Sequence, residues 1–331
     1  MIVKKQILET LAYSATKFPG ELAKICSLVW RQNVSHRSIQ IRMEYKTWVS
    51  FFFFWLVICS PSWGWGTDGH TIIGFMAEDH LKKTTKEAIR DLLDARSIGD
   101  PRICTWADQI RSSANYRRKY PNHPTWHYIN IDFLQKDKNY PVAKDQNDVL
   151  GAIERFRKKA NDVSLSKEER KEALMFVIHF VEDLHQPLHC TTRMDDRGGN
   201  LQKIKSFAGK EDRLNLHRIW DVDLINYDKK ELTNVDFAKR LNEEIKEPEW
   251  KEWSKGTIRD WVWESHQLGS KEVYFFKDGK EFPKLDAPLV ELTKKNYIDK
   301  SLPIMRIQLK RASVRLVKVL NDIYEIPEKK K

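Results

Sequence analysis

Along most of the chain the apolar residues recur at helical rather than strand spacing. Ile72, Ile73, Phe75, Met76 and Leu81, then Ile89, Leu92 and Leu93, predict two amphipathic helices parted near Thr84-Thr85, with Thr84 capping the second and Glu87 three residues on. Val149, Ile153 and Phe156 predict another. The clearest begins at Ser166, where Ser166-Lys167-Glu168-Glu169 has the form of a capping box, and runs through Ala173, Leu174, Phe176, Val177, Phe180 and Val181 towards Pro187. Tryptophan-rich helices are predicted between Trp250 and Trp263, and a last helix over Leu309 to Leu320. Asp195 to Gly199 and Lys277 to Gly279 carry loop signals. No run alternates convincingly as a strand and no solenoid-like repeat appears, so the expected fold is all-α, a single mostly helical domain.

One apolar run breaks this pattern. Residues 48 to 59 are almost continuously hydrophobic, yet shorter than the ~20 residues that span a bilayer. Lys46 precedes the run, and Ser60-Pro61-Ser62-Trp63-Gly64 follows, with small residues at Ser62 and Gly64. This is the layout of a secretory signal peptide cut after Gly64. The expected organisation is therefore a non-functional extension over residues 1–42, a signal peptide over 43–64 beginning at Met43, and a functional domain over 65–331. A secreted or periplasmic monomer without stable membrane insertion is expected.

Charge reads differently after that cut. The 331-residue chain has a formal net charge of +11, which suggests an anionic partner. Residues 1–64 hold eight Lys/Arg and three Asp/Glu, so the remaining domain carries only +6. The sole Asn-x-Ser/Thr acceptor, at Asn33, lies in the same segment. Two of the four cysteines, Cys104 and Cys190, remain, too few for a disulfide-built scaffold. Stability must come from a core, from metal, or from both.

Candidate chemistry lies in the placement of the histidines. His179 and Asp183 are four residues apart on one helix, and His217 and Asp221 repeat the spacing, so each pair shares a face. His189 follows just beyond Pro187. A single His/Asp pair at this spacing is ordinarily a surface hydrogen bond or ion pair. Asp183, however, lies in an apolar stretch where an uncompensated carboxylate is costly to bury, and two pairs plus His189 favour metal. Asp108 with Arg111 one turn on, His127 beside Tyr128, and His70 extend the set. A Trp65 freed at its amino group could chelate a metal through that group and its carbonyl oxygen, with His70 completing the site. Arg111 reads equally as a surface ion pair, and Tyr128 as a core aromatic. His80, His123, His185 and His266 read as structural or supporting residues, and the tryptophans mainly as core.

In order, Trp65-Gly66-Thr67-Asp68-Gly69-His70, Trp106-Ala107-Asp108, Trp126-His127-Tyr128, His179 to His189, Gly198-Gly199-Asn200 and Asn215 to Asp221 resemble the motifs of the S1/P1 nuclease family, zinc-dependent single-strand nucleases. The resemblance is close over residues 65 to about 225. It implies the all-helical phospholipase C/P1 nuclease fold with a trinuclear zinc cleft. Asp108, His127, His179 and Asp183 would hold one zinc, Trp65 and His70 a second bridged by Asp183, and His189, His217 and Asp221 a third. Asp108, Asp183 and Arg111 would be catalytic, with Arg111 neutralising phosphoryl charge. Tyr128, Asn130 and Asn200 would bind substrate. The implied activity is hydrolysis of single-stranded DNA and RNA to 5′-nucleotides, with 3′-nucleotidase activity on 3′-nucleotides. A phospholipase C-like lipid hydrolase is the alternative enzyme, and a basic nucleic-acid-binding protein without catalysis the alternative class. Plant members are rich in disulfides. Here Gly74 stands where a plant-type partner for Cys104 would fall; Cys104 and Cys190 flank the implied ligands Asp108 and His189, and a bridge between those two is the pairing this suggests.

Overall fold

In the computed structural model, which describes residues 65–325, the helical spacing becomes α1 (Thr67–His80), α2 (Lys83–Leu93), α3 (Val149–Ala160) and α4 (Lys167–Asp183). Further along lie α5 (Asn234–Glu243), α6 (Glu247–Trp253), α7 (Ile258–Leu268) and α8 (Asp299–Tyr324). The expected extension and signal peptide lie outside the described residues. Among the described residues no helix is long and apolar enough to cross a membrane.

Helix α4 is the centre of the core. Its capping box forms as expected: Ser166 Oγ accepts from Glu169 N at 3.3 Å, and Glu169 Oε2 accepts from Ser166 N at 3.0 Å. From Glu172 to Asp183 every residue is buried, so the helix is enclosed all round rather than amphipathic. It packs along α3 and against α8, while α1 packs against α8 and α5. Burying Glu172 is tolerable because Lys119 Nζ, at 2.6 Å, and the Tyr120 hydroxyl both donate to its carboxylate. Trp65, Trp220 and Trp261 are among the largest fully buried side chains, in keeping with a core role for the tryptophans.

Three details depart from the sequence reading. Thr84 does not cap α2, whose N-cap is Lys82; that backbone N–H donates to Asn321 Oδ1 of α8 at 3.2 Å, so a tertiary contact sets the start. A small sheet is present, in the order β2-β1-β3: β1 (Lys203–Phe207), β2 (Leu214–Asn215) and β3 (Val290–Leu292). Strand β1 runs antiparallel to β2 and parallel to β3, with Ile204 opposite both Leu214 and Val290. Finally, Cys104 and Cys190 are both buried and free, which corrects the possible disulfide. Cys104 Sγ lies 3.9 Å from Thr71 Oγ1, and Cys190 donates to the Leu184 carbonyl at 3.3 Å. Each thiol is engaged within its own packing environment.

Candidate metal centre

The residues leading into α1 and its first turn are fastened to several other segments. The Trp65 indole N–H donates to the Glu182 carbonyl at 3.0 Å, and Gly66 N donates to the Asp221 carbonyl at 3.0 Å. Asp68 accepts from Asn234 Nδ2 at 2.9 Å and pairs with Lys229 Nζ at 3.1 Å. One turn in, His70 has Nδ1 2.6 Å from Glu182 Oε2, which leaves Nε2 facing Asp183 Oδ1 at 3.5 Å.

On α4, His179 and Asp183 meet as their spacing requires, Nε2 to Oδ2 at 3.0 Å. His127 Nδ1 lies 3.0 Å from both His179 Nε2 and Asp183 Oδ2. Asp108 Oδ1 approaches His127 Nδ1 at 3.5 Å and His179 Nε2 at 3.6 Å. A second cluster adjoins it: His217 Nε2 is 3.3 Å from Asp221 Oδ2, and the His217 and His189 rings stack with centroids 5.0 Å apart. His189 Nδ1 also lies 3.6 Å from Asp183 Oδ1, linking the clusters. Three triads thus have donor atoms within 4.8 Å of one another: His70, His179 and Asp183; Asp108, His127 and His179; and His189, His217 and Asp221.

The outward ring nitrogens are held by fixed acceptors. His179 Nδ1 donates to the Cys104 carbonyl at 2.7 Å, His189 Nδ1 to the His127 carbonyl at 2.8 Å, and His217 Nδ1 to the Gly198 carbonyl at 2.5 Å. With His70 on Glu182, four imidazoles have one nitrogen anchored and so a fixed ring orientation, the support that metal-binding histidines ordinarily have. Glu182 and Gln186, whose amide donates to Asp221 Oδ1 at 2.6 Å, were not singled out from sequence. Their only sequence signal is position, Glu182 next to Asp183 and Gln186 midway between Asp183 and His189; the carbonyl acceptors carry no side-chain signal at all.

The chemistry of the donor set fits zinc. His70 Nε2, Asp108 Oδ1 and Asp183 Oδ1 are buried polar atoms with no hydrogen-bond partner among the described residues, an arrangement that costs stability unless a cation satisfies it. Burial first, then neighbouring cationic groups, pulls His70, His127 and His189 well below the ordinary histidine range, which keeps them neutral. Burial pushes Asp183 up to about 6 against the attraction of His179. For His179, burial disfavours the cation, but the Asp183 and Asp108 carboxylates outweigh it and raise the ring to about 9. The carboxylate pair therefore draws positive charge into this space. Neutral imidazole with carboxylate is a zinc-compatible set.

The other expected site residues are more dispersed. Arg111 is half-buried, with Nη1 3.7 Å from Asp108 Oδ1. Tyr128 is half-buried and lies outside the packed core, and its carbonyl accepts the Val149 N–H that starts α3. Asn130 is exposed. Asn200 uses its amide to donate to the Arg197 carbonyl at 2.9 Å, so it helps to close its own turn. Among the remaining histidines, His80 packs on Trp250, His185 lies between the Val181 carbonyl and Arg315, and His266 meets Thr191.

Gly198 is where the backbone matters most. Its φ is +61°, and a Cβ there would lie 2.3 Å from the Leu188 carbonyl oxygen. Gly198→Ala should cost about 2 kcal/mol or more and lower the melting temperature by about 5 °C. It should also displace the carbonyl that holds His217, so metal bound per chain should fall; unchanged melting and metal content would contradict this.

His123 gives a pH expectation. Burial lowers its pKa from 6.5 to about 4, and neither ring nitrogen has a hydrogen-bond partner among the described residues. A lowered histidine favours the deprotonated native state, so its contribution is complete above about 6.5 and is lost as pH falls through about 4. Thermal melting followed across that window should show less acid destabilisation in His123→Phe than in the parent; parallel curves would refute the assignment.

The profile of the S1/P1 Nuclease family matches residues 65–325. Endonuclease 2 of Arabidopsis thaliana is 29% identical over 293 residues, covering 82% of this chain and 94% of that protein. Endonuclease 1 of the same plant is 28% identical over 292 residues, covering 81% and 90% respectively. Nuclease P1 of Penicillium citrinum is 29% identical over 166 residues, covering 47% of this chain and 57% of its own length.

Proposed function

Because the chain belongs to the S1/P1 nuclease family, and is on that ground a phosphodiesterase hydrolase acting on nucleic acid, we propose that it cuts single-stranded DNA and RNA to 5′-nucleotides, with 3′-nucleotidase activity, using three zinc ions. The three buried triads sharing His179 or flanking Asp183 carry this reading. Asp108, His127, His179 and Asp183 would hold one ion, Trp65, His70 and Asp183 a second, and His189, His217 and Asp221 the third. When bound, zinc supplies Lewis acidity at a phosphate and a water acidified towards neutral pH.

This chain's own residues do the rest. The anchored Nδ1 atoms of His70, His179, His189 and His217 fix which nitrogen faces inward, so ligand geometry is set before any substrate arrives. Arg111, beside Asp108, would donate to phosphoryl oxygens as their charge grows, a task suited to a planar guanidinium. Tyr128, outside the packed core, would stack an unpaired base, with Asn130 and Asn200 contacting its edge. Stacking is worth ~1–3 kcal/mol per base and is open to any unpaired base, which favours single strands over duplex.

We further infer that residues 43–64 are a signal peptide and that the working domain begins at Trp65, in a secreted or periplasmic protein. A buried Trp65, fastened beside the triads, supports this; N-terminal sequencing of the exported protein should read Trp65 first. The activity is tested by comparing denatured with duplex DNA and analysing the ends produced. Rapid loss of denatured DNA to 5′-phosphate products supports the reading, whereas equal cleavage of duplex would refute single-strand preference.

A further inference from the structure

Arg155 is a cation that the metal centre does not use. It lies on α3, about 9 Å along the axis from Val149, whose N–H is bound to the Tyr128 carbonyl at 3.1 Å. Its guanidinium carbon sits 4.6 Å from the Trp126 ring centre and 5.1 Å from that of Phe156. Trp126, immediately before His127, is itself fixed by its indole N–H on Asn147 Oδ1 at 3.0 Å. Among the described residues the Arg155 side chain makes one hydrogen bond, a long one from Nη1 to the Gln146 carbonyl at 3.4 Å, and Nη2 is buried without a partner among them. A half-buried guanidinium over aromatic rings, with no ion-pair partner among the described residues, keeps its charge available to an anion.

The surroundings reinforce this. Lys159 follows one turn on, about 6 Å further along α3, with its ammonium 5.9 Å from the Phe156 ring centre. Among the described residues no carboxylate lies within 4.0 Å of Arg155 or Lys159. Of the neighbouring acids, Glu154 pairs with Arg157 at 3.5 Å, while Asp148, whose oxygens accept backbone N–H groups at 2.9 Å, attracts Arg155 only from beyond ion-pair distance. The helix dipole accounts for a lysine in the last turn, but not for an arginine in the middle of the helix.

We propose that Arg155 and Lys159 form a second phosphate-binding site, which grips the backbone of a polynucleotide beyond the bond being cut. This rests on the nuclease reading and deepens it: the enzyme would prefer strands long enough to place a further phosphate on α3.

The test compares the zinc-loaded parent with Arg155→Gln/Lys159→Gln on two substrates. One is a single-stranded oligonucleotide of roughly twelve nucleotides; the other is a dinucleoside monophosphate, whose only phosphate is the scissile one. The ratio of kcat/KM for the long substrate to that for the short one should fall about ten-fold, mainly through KM, and the salt dependence of log kcat/KM should lose about 1.4 in slope. An unchanged ratio, or equal losses on both substrates, would overturn the proposal. Should the double variant melt early, the exposed Lys159→Gln alone should still remove about 0.7 of the slope, and an unchanged slope there overturns the proposal too. A parent that cleaves the dinucleotide but not the oligonucleotide would instead refute the single-strand reading.

Discussion

Asp183→Asn should lower kcat/KM on denatured DNA by more than about 10³-fold while leaving the metal-free fold nearly as stable as the parent. Asp183 is the carboxylate on which the centre converges. Its oxygens lie 3.0 Å from His127 and His179, 3.5 Å from His70 and 3.6 Å from His189. Asparagine keeps the shape and removes the charge, so it withdraws the one group proposed to serve two ions. Burial already pushes this carboxyl up to about 6, which means that its anion is held at a cost when no cation answers it. A neutral amide relieves that cost, so loss of activity should come without loss of fold. Steady-state kinetics with thermal melting in chelator check both halves; near-normal turnover, or collapse of the metal-free protein, would contradict the role given to Asp183.

Withdrawing metal from the parent should lower its melting temperature by about 10 °C. Ions that bind the native chain alone add about 4 kcal/mol when present at a thousand times their dissociation constant, and a domain of this size melts ~2–4 °C lower per kcal/mol lost. The orphaned His70 Nε2, Asp108 Oδ1 and Asp183 Oδ1 mark where that energy is lost. Differential scanning calorimetry before and after chelation measures it, and re-addition of zinc should restore the original value. Identical curves would mean that the buried triads are satisfied without a cation.

Much of the architecture could be read from spacing because the relevant signals are local. Ser166 and Glu169 lie three residues apart in the chain as in the capping box, and His179 and Asp183 are neighbours on one helix face by geometry alone. Asp108, His127 and His70 come from separate segments, and ordered motifs rather than periodicity suggested that they belong together. The misses share a cause: they depend on contacts distant in sequence. Asn321 sets the start of α2 from the last helix, and β1 is recognisable as a strand only once Val290–Leu292 lies beside it. Glu182 sits inside the most informative motif, yet its function is directed at His70, 112 residues away. Cys104 and Cys190 are candidates for pairing from sequence only because they flank ligand segments; packing gives each thiol a different neighbour.

The central claim is that buried His/Asp triads hold zinc for phosphodiester hydrolysis. Elemental analysis of the purified domain, coupled to a nuclease assay on denatured DNA before chelation, after it and after zinc re-addition, tests this most directly. Three zinc ions per chain, with activity lost and regained alongside them, is the expected result. Fewer than three ions in the fully active protein, or hydrolysis indifferent to chelator, would contradict it.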